Sequence, residues 1–93
     1  MYTKLYAMRI SIITPEQIVL DCEARQVIVP GTKSPFAMLD KHQAIISSLL
    51  PEGEIKISKS DGTELRVRIE GNCIVEQHDN LVSVLATKAK IEQ

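Results

Sequence analysis

Between Thr63 and Gly71 the sequence alternates without a break, with Leu65, Val67 and Ile69 set between Glu64, Arg66, Arg68 and Glu70. A period of two places the three apolar side chains on one face of an extended strand and the charges on the other, whereas a helix would scatter both sets around its surface. A strand with one dry face cannot stand alone, so the chain must supply a second apolar layer to cover it. Immediately upstream, Glu54 to Lys59 sets Ile55 and Ile57 against Lys56 and Ser58, and Ser60-Asp61-Gly62 supplies residues that tolerate left-handed turn geometry. The two runs are predicted to form a β-hairpin.

The same reading extends to both sides. Tyr6, Met8, Ile10 and Ile12 share one face of a segment that stops at Thr14-Pro15-Glu16, where Pro15 removes a backbone donor. A strand is expected from Gln17 to Cys22, another from Arg25 to Val29 before Pro30-Gly31, and another from Leu81 to Ala86 after the turn residues Asp79-Asn80. The apolar residues of His42 to Leu50 fit either a helix or a strand, but Pro51-Glu52-Gly53 closes the segment early and favours the strand. Thr87 to Gln93 holds a single large apolar residue, Ile91, among Lys88, Lys90 and Glu92, and reads as a frayed tail. Short strands punctuated by turns predict an all-β fold, a sandwich or small barrel over 1–86 with a tail over 87–93. At 93 residues there is material for one core and not two.

Composition removes several functions. Twelve acidic against eleven basic residues leave a net charge of -1, which attracts neither nucleic acid nor anionic lipid. Tyr2, Tyr6 and Phe36 are the only aromatic residues, too few to build a stacking platform for bases or sugars. No apolar run approaches the ~20 residues of a membrane-spanning helix, and Arg9 breaks the only stretch resembling a leader. Cys22 and Cys73 are too few for a disulfide scaffold and read as reduced interior thiols, with one bridge between them as the alternative.

Chemistry is hard to assemble from what remains. His42, His78, Cys22 and Cys73 lack the close pairing of structural zinc sites, and His78, in Gln77-His78-Asp79-Asn80, reads as a solvated turn residue. Cys73, His42 and Asp40 could be nominated as a nucleophilic set, yet no local motif frames them. The glycines Gly31, Gly53, Gly62 and Gly71 are dispersed one to a turn and form no phosphate loop. No cofactor, metal or catalytic residue is assigned. The charged face of the 54–71 hairpin is a solvated surface, and Pro30 to Phe36 is a loop in which Phe36 either presents a docking knob or folds back over the end of the fold.

Taken in order, Ile12-Ile13-Thr14-Pro15-Glu16, Val27-Ile28-Val29-Pro30-Gly31, Leu39 and His42, Leu49 and Pro51, Ile69-Glu70-Gly71, and Val82-Ser83-Val84-Leu85-Ala86 resemble the epsilon subunit of F-type ATP synthases. The likeness runs from about residue 5 to residue 86. It implies that family's N-terminal domain, a β-sandwich of two five-stranded sheets with ten short strands. It also implies a non-catalytic rotor part of the central stalk, which binds the gamma subunit, rests on the c-ring and couples proton transport to ATP synthesis. Its place would be at the cytoplasmic face of a bacterial inner membrane, without inserting into it. By position the resemblance assigns the loop with Lys33, Ser34, Pro35, Phe36 and His42 to the c-ring, and Ser47, Glu70 and Ser83 to gamma.

The sequence also departs from the family pattern. Ser34-Pro35-Phe36-Ala37 replaces a stretch with two glycines and an acidic residue, so Lys33 or Asp40 would have to substitute for the acidic ring contact. Asp40 stands where proline is common, Glu52 is inserted before the expected glycine, and Asn72 replaces the second glycine of a pair, which is tolerable because asparagine visits positive φ. The family's C-terminal helical hairpin would begin where this sequence stops, so a subunit without an inhibitory arm or ATP binding is expected. The competing readings are a free-standing sandwich adaptor using the Lys33 to Phe36 loop, and a small metal or thiol enzyme using His42 and Cys73.

Overall fold

In the computed structural model, residues 8–39 and 44–92 are described, and they form ten strands and no helix. In chain order these are β1 (Met8–Ile13), β2 (Ile18–Ala24), β3 (Gln26–Val29), β4 (Phe36–Leu39), β5 (Ile45–Ser48), β6 (Glu52–Ser58), β7 (Glu64–Glu70), β8 (Ile74–His78), β9 (Leu81–Leu85) and β10 (Lys88–Glu92). They make two five-stranded sheets, ordered β2-β1-β9-β8-β5 and β10-β7-β6-β3-β4, called here the first and second sheet. The expected sandwich of two five-stranded sheets is therefore the fold.

Alternation decides which side chains meet between the sheets. Met8, Ile10 and Ile12 of β1, Val82 and Val84 of β9, and Val75 of β8 turn inward from the first sheet, all fully buried. Opposite them stand Ile55 and Ile57 of β6, Val67 and Ile69 of β7, and Val27 and Val29 of β3. At roughly 1.5 to 3 kcal/mol for each fully buried aliphatic side chain, this layer is the dominant stabilising term. The one parallel pairing, β1 beside β9 with Ile10 against Val82 and Ile12 against Val84, sets β9 in the middle of the first sheet.

The turns follow the residues that make them. In the β6–β7 hairpin, Gly62 takes φ +93 and the Asp61 carboxylate accepts from the Thr63 backbone N–H at 2.9 Å and its hydroxyl at 2.6 Å. Asp79 and Asn80 sit at φ 53 and 62 between β8 and β9, the left-handed pair a two-residue hairpin demands.

Several expectations are corrected. Thr87 to Gln93 is not a frayed tail over its described length, because Lys88–Glu92 is strand β10, paired antiparallel with β7. A short segment that would not hold alone is held here by its ladder to β7, with Ala89 and Ile91 packed on the core while Lys88 and Lys90 stay exposed. The stretch from Gly31 to His42 is not one loop, since β4 crosses the sheet from Phe36, opposite Val29, to Leu39, opposite Gln26. Gln77 and His78 belong to β8, and the turn begins at Asp79. Positive φ falls on Gly71 (φ 87) and not on Asn72.

Gly71 is constrained twice. Besides its backbone conformation, a β-carbon there would lie 2.5 Å from Thr87 Cβ, and Thr87 Oγ1 accepts a hydrogen bond from the Asn72 N–H at 3.1 Å. Replacing Gly71 with Ala is expected to cost about 2 to 3 kcal/mol, strain and displaced Thr87 together, read as a lower urea midpoint. Gly62→Ala, in open space, is expected to cost less.

Candidate partner-docking surfaces

The two outer faces differ in kind. On the second sheet, the outward positions of β10, β7 and β6 are Lys88, Lys90 and Glu92, then Glu64, Arg66, Arg68 and Glu70, then Glu52, Glu54 and Lys56. Five cations face five anions in this set. Arg66 lies 3.8 Å from Glu54 and 3.9 Å from Glu64, and Arg68 Nε donates to Glu92 Oε2 at 3.2 Å. Exposed pairs of this kind contribute at most about 1 kcal/mol each, so this is a solvated face.

The first sheet carries a different pattern. Its cross-strand register lines up Ile18, Ile13, Leu85 and Ile74 in one row over β2, β1, β9 and β8, ending at Ser48 of β5. Of these, Ile18 is 63% exposed, Leu85 51% and Ile74 44%. The next row is Asp21, Ser11, Ser83, Glu76 and Ile46, and the third is Glu23, Arg9, Leu81 and His78. Ser11 and Ser83 make the middle of the face low and flat, while Arg9 Nε donates to Asp21 Oδ1 at 2.8 Å on its rim. A contiguous exposed apolar row beside a shallow polar strip is the composition of an interaction surface.

The apolar row lies at the end of the sandwich where the chain turns through 14–17, 30–35, 49–51 and 71–73. There Thr32, Lys33, Ser34 and Pro35 are exposed between β3 and β4. This loop is anchored at its base, because Leu50 N–H donates to Pro30 O at 2.9 Å and Gly31 bridges to Leu49. Phe36 is half-buried, packed on the core, and its ring covers Gly31, where a β-carbon would lie 2.8 Å from it. It folds back over the end and is not a projecting knob.

The residues assigned to gamma by resemblance do not share a surface. Ser83 lies at the centre of the first sheet's outer face, Glu70 on the outer face of the second sheet, and Ser47, opposite Val75, on the inward side of edge strand β5. His42 and Asp40 lie outside the described residues. Among the described residues no group of three metal-ligating side chains forms. Cys22 and Cys73 are both free, and burial pushes both thiols up, away from the thiolate a nucleophile needs. A cleft of about 480 Å³ beside Thr14, Arg68 and Lys88 is walled by mixed charges, unlike the apolar lining of ligand pockets. What sequence reasoning missed was the apolar row, for it exists only in the register that brings Ile18, Leu85 and Ile74 together.

The model of the family described as ATP synthase, Delta/Epsilon chain, beta-sandwich domain matches residues 7–92. The chain belongs to this family. An ATP synthase epsilon chain of a Sulfurovum species is 37% identical over 67 residues, covering 72% of this chain and 52% of that relative. The epsilon chain of Campylobacter lari is 41% identical over 81 residues, covering 86% and 60%. The chain thus spans between half and two thirds of these relatives. Among solved structures, a chain of the Euglena gracilis mitochondrial ATP synthase, described with its F1 and c-ring, superposes with TM-score 0.84 over 92% of this chain and 54% of that one, at 12% identity. A chain of the central stalk and c-ring of the Tetrahymena thermophila enzyme gives 0.68 over 89% and 65%, at 18% identity. At such identities these likenesses concern the family's sandwich fold alone.

Two predictions follow from the electrostatics of this sandwich. Thr63's hydroxyl and then its N–H hold Asp61 below the ordinary carboxylate range, and Glu92 is held low by its hydrogen bond with Glu54 and then by Arg68. A folded-state pKa below the unfolded one means stability that is complete above about pH 5 and lost as pH falls through the folded value. The urea midpoint should therefore drop on the acid side of pH 4, and less steeply in Asp61→Asn. In a thiol titration at neutral pH, Cys73 should react only on unfolding and Cys22 slowly.

Proposed function

We propose that the chain is a non-catalytic rotor part in the central stalk of an F-type ATP synthase, with the first sheet's outer face against the gamma subunit. The observation that carries this reading is the difference between the two faces: an exposed apolar row on the first sheet and balanced charge on the second. A stable contact of this class removes on the order of 800 Å² per partner from water, and the three rows around Leu85, Ser83 and Leu81 offer a flat area on that scale. The gamma-facing set is thereby revised. Ser83 stays at its centre, joined by Ile18, Ile74 and Leu85, whereas Glu70 and Ser47 leave it.

The loop Lys33-Ser34-Pro35 at the same end is proposed to rest on the c-ring, with its base at Gly31 and Leu49 limiting how far it can yield. Held at gamma by one face and at the ring by one end, the sandwich would pass rotation of the ring to the shaft, coupling proton transport to ATP synthesis. Its site of action would then be peripheral, at the cytoplasmic face of the membrane. Catalysis belongs to other subunits in this reading.

Mixing the protein with an ATP synthase gamma subunit from the same organism tests the proposal. A complex at micromolar concentration is expected. Leu85→Lys or Ile18→Lys should weaken it at least tenfold, because each buries a charge in an apolar row. Glu70→Lys, on the opposite sheet, should leave it unchanged. No complex with the parent chain, or equal loss from Glu70→Lys, would overturn the assignment.

A further inference from the structure

The ten strands hold eight acidic residues, and seven of them have a lysine or arginine opposite, diagonal or two places along the same strand. Glu23 stands opposite Arg9, for example, and Glu70 opposite Lys88. Opposite charges set side by side in this way let a sheet carry exposed acids at little cost. The eighth acid, Glu76 of β8, has no such neighbour among the described residues.

Its surroundings are apolar. On the outer face of the first sheet Glu76 lies between Ser83 of β9 and Ile46 of β5, with Leu81, Leu85 and Ser48 diagonal to it and Ile74 and His78 flanking it along β8. His78 turns its Nδ1 to Asp79 at 3.4 Å, and no ion pair joins the Glu76 carboxylate to a described residue. Beside it runs a shallow groove of about 320 Å³, walled by Ala44 and Ile46 on one flank and by Glu76 and His78 on the other. That is room for one long side chain, at the small end of what a ligand pocket offers. Across the three rows of this face, Asp21, Glu23 and Glu76 stand against a single base, Arg9.

Building on the assignment of this face to gamma, we infer that Glu76 and the groove form a socket for one arginine or lysine side chain of the gamma subunit. Glu76 adjoins Ser83, at the centre of the proposed contact, so docking takes the water from its carboxylate. A carboxylate stripped of water among Leu81, Leu85, Ile74 and Ile46 is costly unless a cation meets it there. The basic head donates its N–H groups to the Glu76 carboxylate, and its aliphatic stem packs along Ala44 and Ile46. A partner with a neutral or acidic side chain at that point leaves the charge uncompensated, so the socket selects both the partner and its register. The excess of acids on the face works in the same direction, favouring a basic surface over an acidic one.

Titration calorimetry of the full chain with the gamma subunit tests the inference. Glu76→Gln, close in shape but uncharged, is expected to weaken the complex about tenfold and Glu76→Lys about a hundredfold, both with the parent's circular dichroism and urea midpoint. Glu23→Gln, at the rim of the same face, should change the affinity less than about threefold. Among alanine variants of gamma's arginines and lysines, one should weaken the parent complex about tenfold and leave the Glu76→Gln complex unchanged. A parent chain that forms no complex overturns the gamma assignment and this inference with it. A parent that binds while Glu76→Gln binds as tightly overturns the socket alone. So does an equal loss in Glu23→Gln, or a gamma subunit in which no base is coupled to Glu76.

Discussion

Every strand whose described side chains alternate in burial has one dry side, and that one-sidedness is the condition on which the rest of the molecule depends. Neither sheet can exist without the other, because Ile10, Ile12, Val82 and Val84 find cover only under Ile55, Ile57, Val67 and Ile69. Given that the inner faces are fully committed to each other, anything the protein does with a partner falls to its outer faces, ends and edges. The described residues bring together no group of three metal-ligating side chains, and what they do present to a partner is surface. Those surfaces are unequal.

Much of this was legible in the amino-acid sequence, for a physical reason. Where one face is wet and one dry, alternation is written directly into residue order, as in β7 and in the hairpin around Asp61-Gly62. Legibility failed where the pattern was short or where polarity contradicted burial. β10 shows a correct alternation, but five residues with a single large apolar side chain carry too little signal to separate a strand from a tail. β8 was hidden because Gln77, a polar residue, occupies an inward position and is completely buried, with its amide 3.9 Å from Met8 Sδ. β4 was hidden behind Pro35, which reads as loop even though the strand starts at the next residue.

The candidate site was less legible than the fold. Positions transferred by resemblance landed on three different surfaces, since linear order says nothing about which sheet a residue joins. Ser83 and Glu70 lie close in sequence but on opposite outer faces, because the chain crosses from one sheet to the other between them. The row of Ile18, Ile13, Leu85 and Ile74 draws on four strands, two of them parallel neighbours far apart in the chain. Only register could reveal it. Phe36 taught the opposite lesson: an aromatic residue in a loop rich in Pro and Gly can be there to cover a glycine, as it does at Gly31.

The parallel pairing of β1 with β9 bears on how the molecule comes into being. β1 is made well before β9, so the centre of the first sheet stays open until Leu81–Leu85 has been synthesised. Until Leu81–Leu85 emerges, the buried faces of β1 and β2 have no lateral neighbour on that side, whereas the β6–β7 hairpin can close as soon as it is made. Nascent chains in that half-built condition are where holding by a chaperone, or rapid capture by a partner, has most influence on yield. Order of assembly is thus fixed by topology: the β6–β7 hairpin can close early, the centre of the first sheet is filled only when β9 arrives, and β10 then adds the outer edge of the charged sheet.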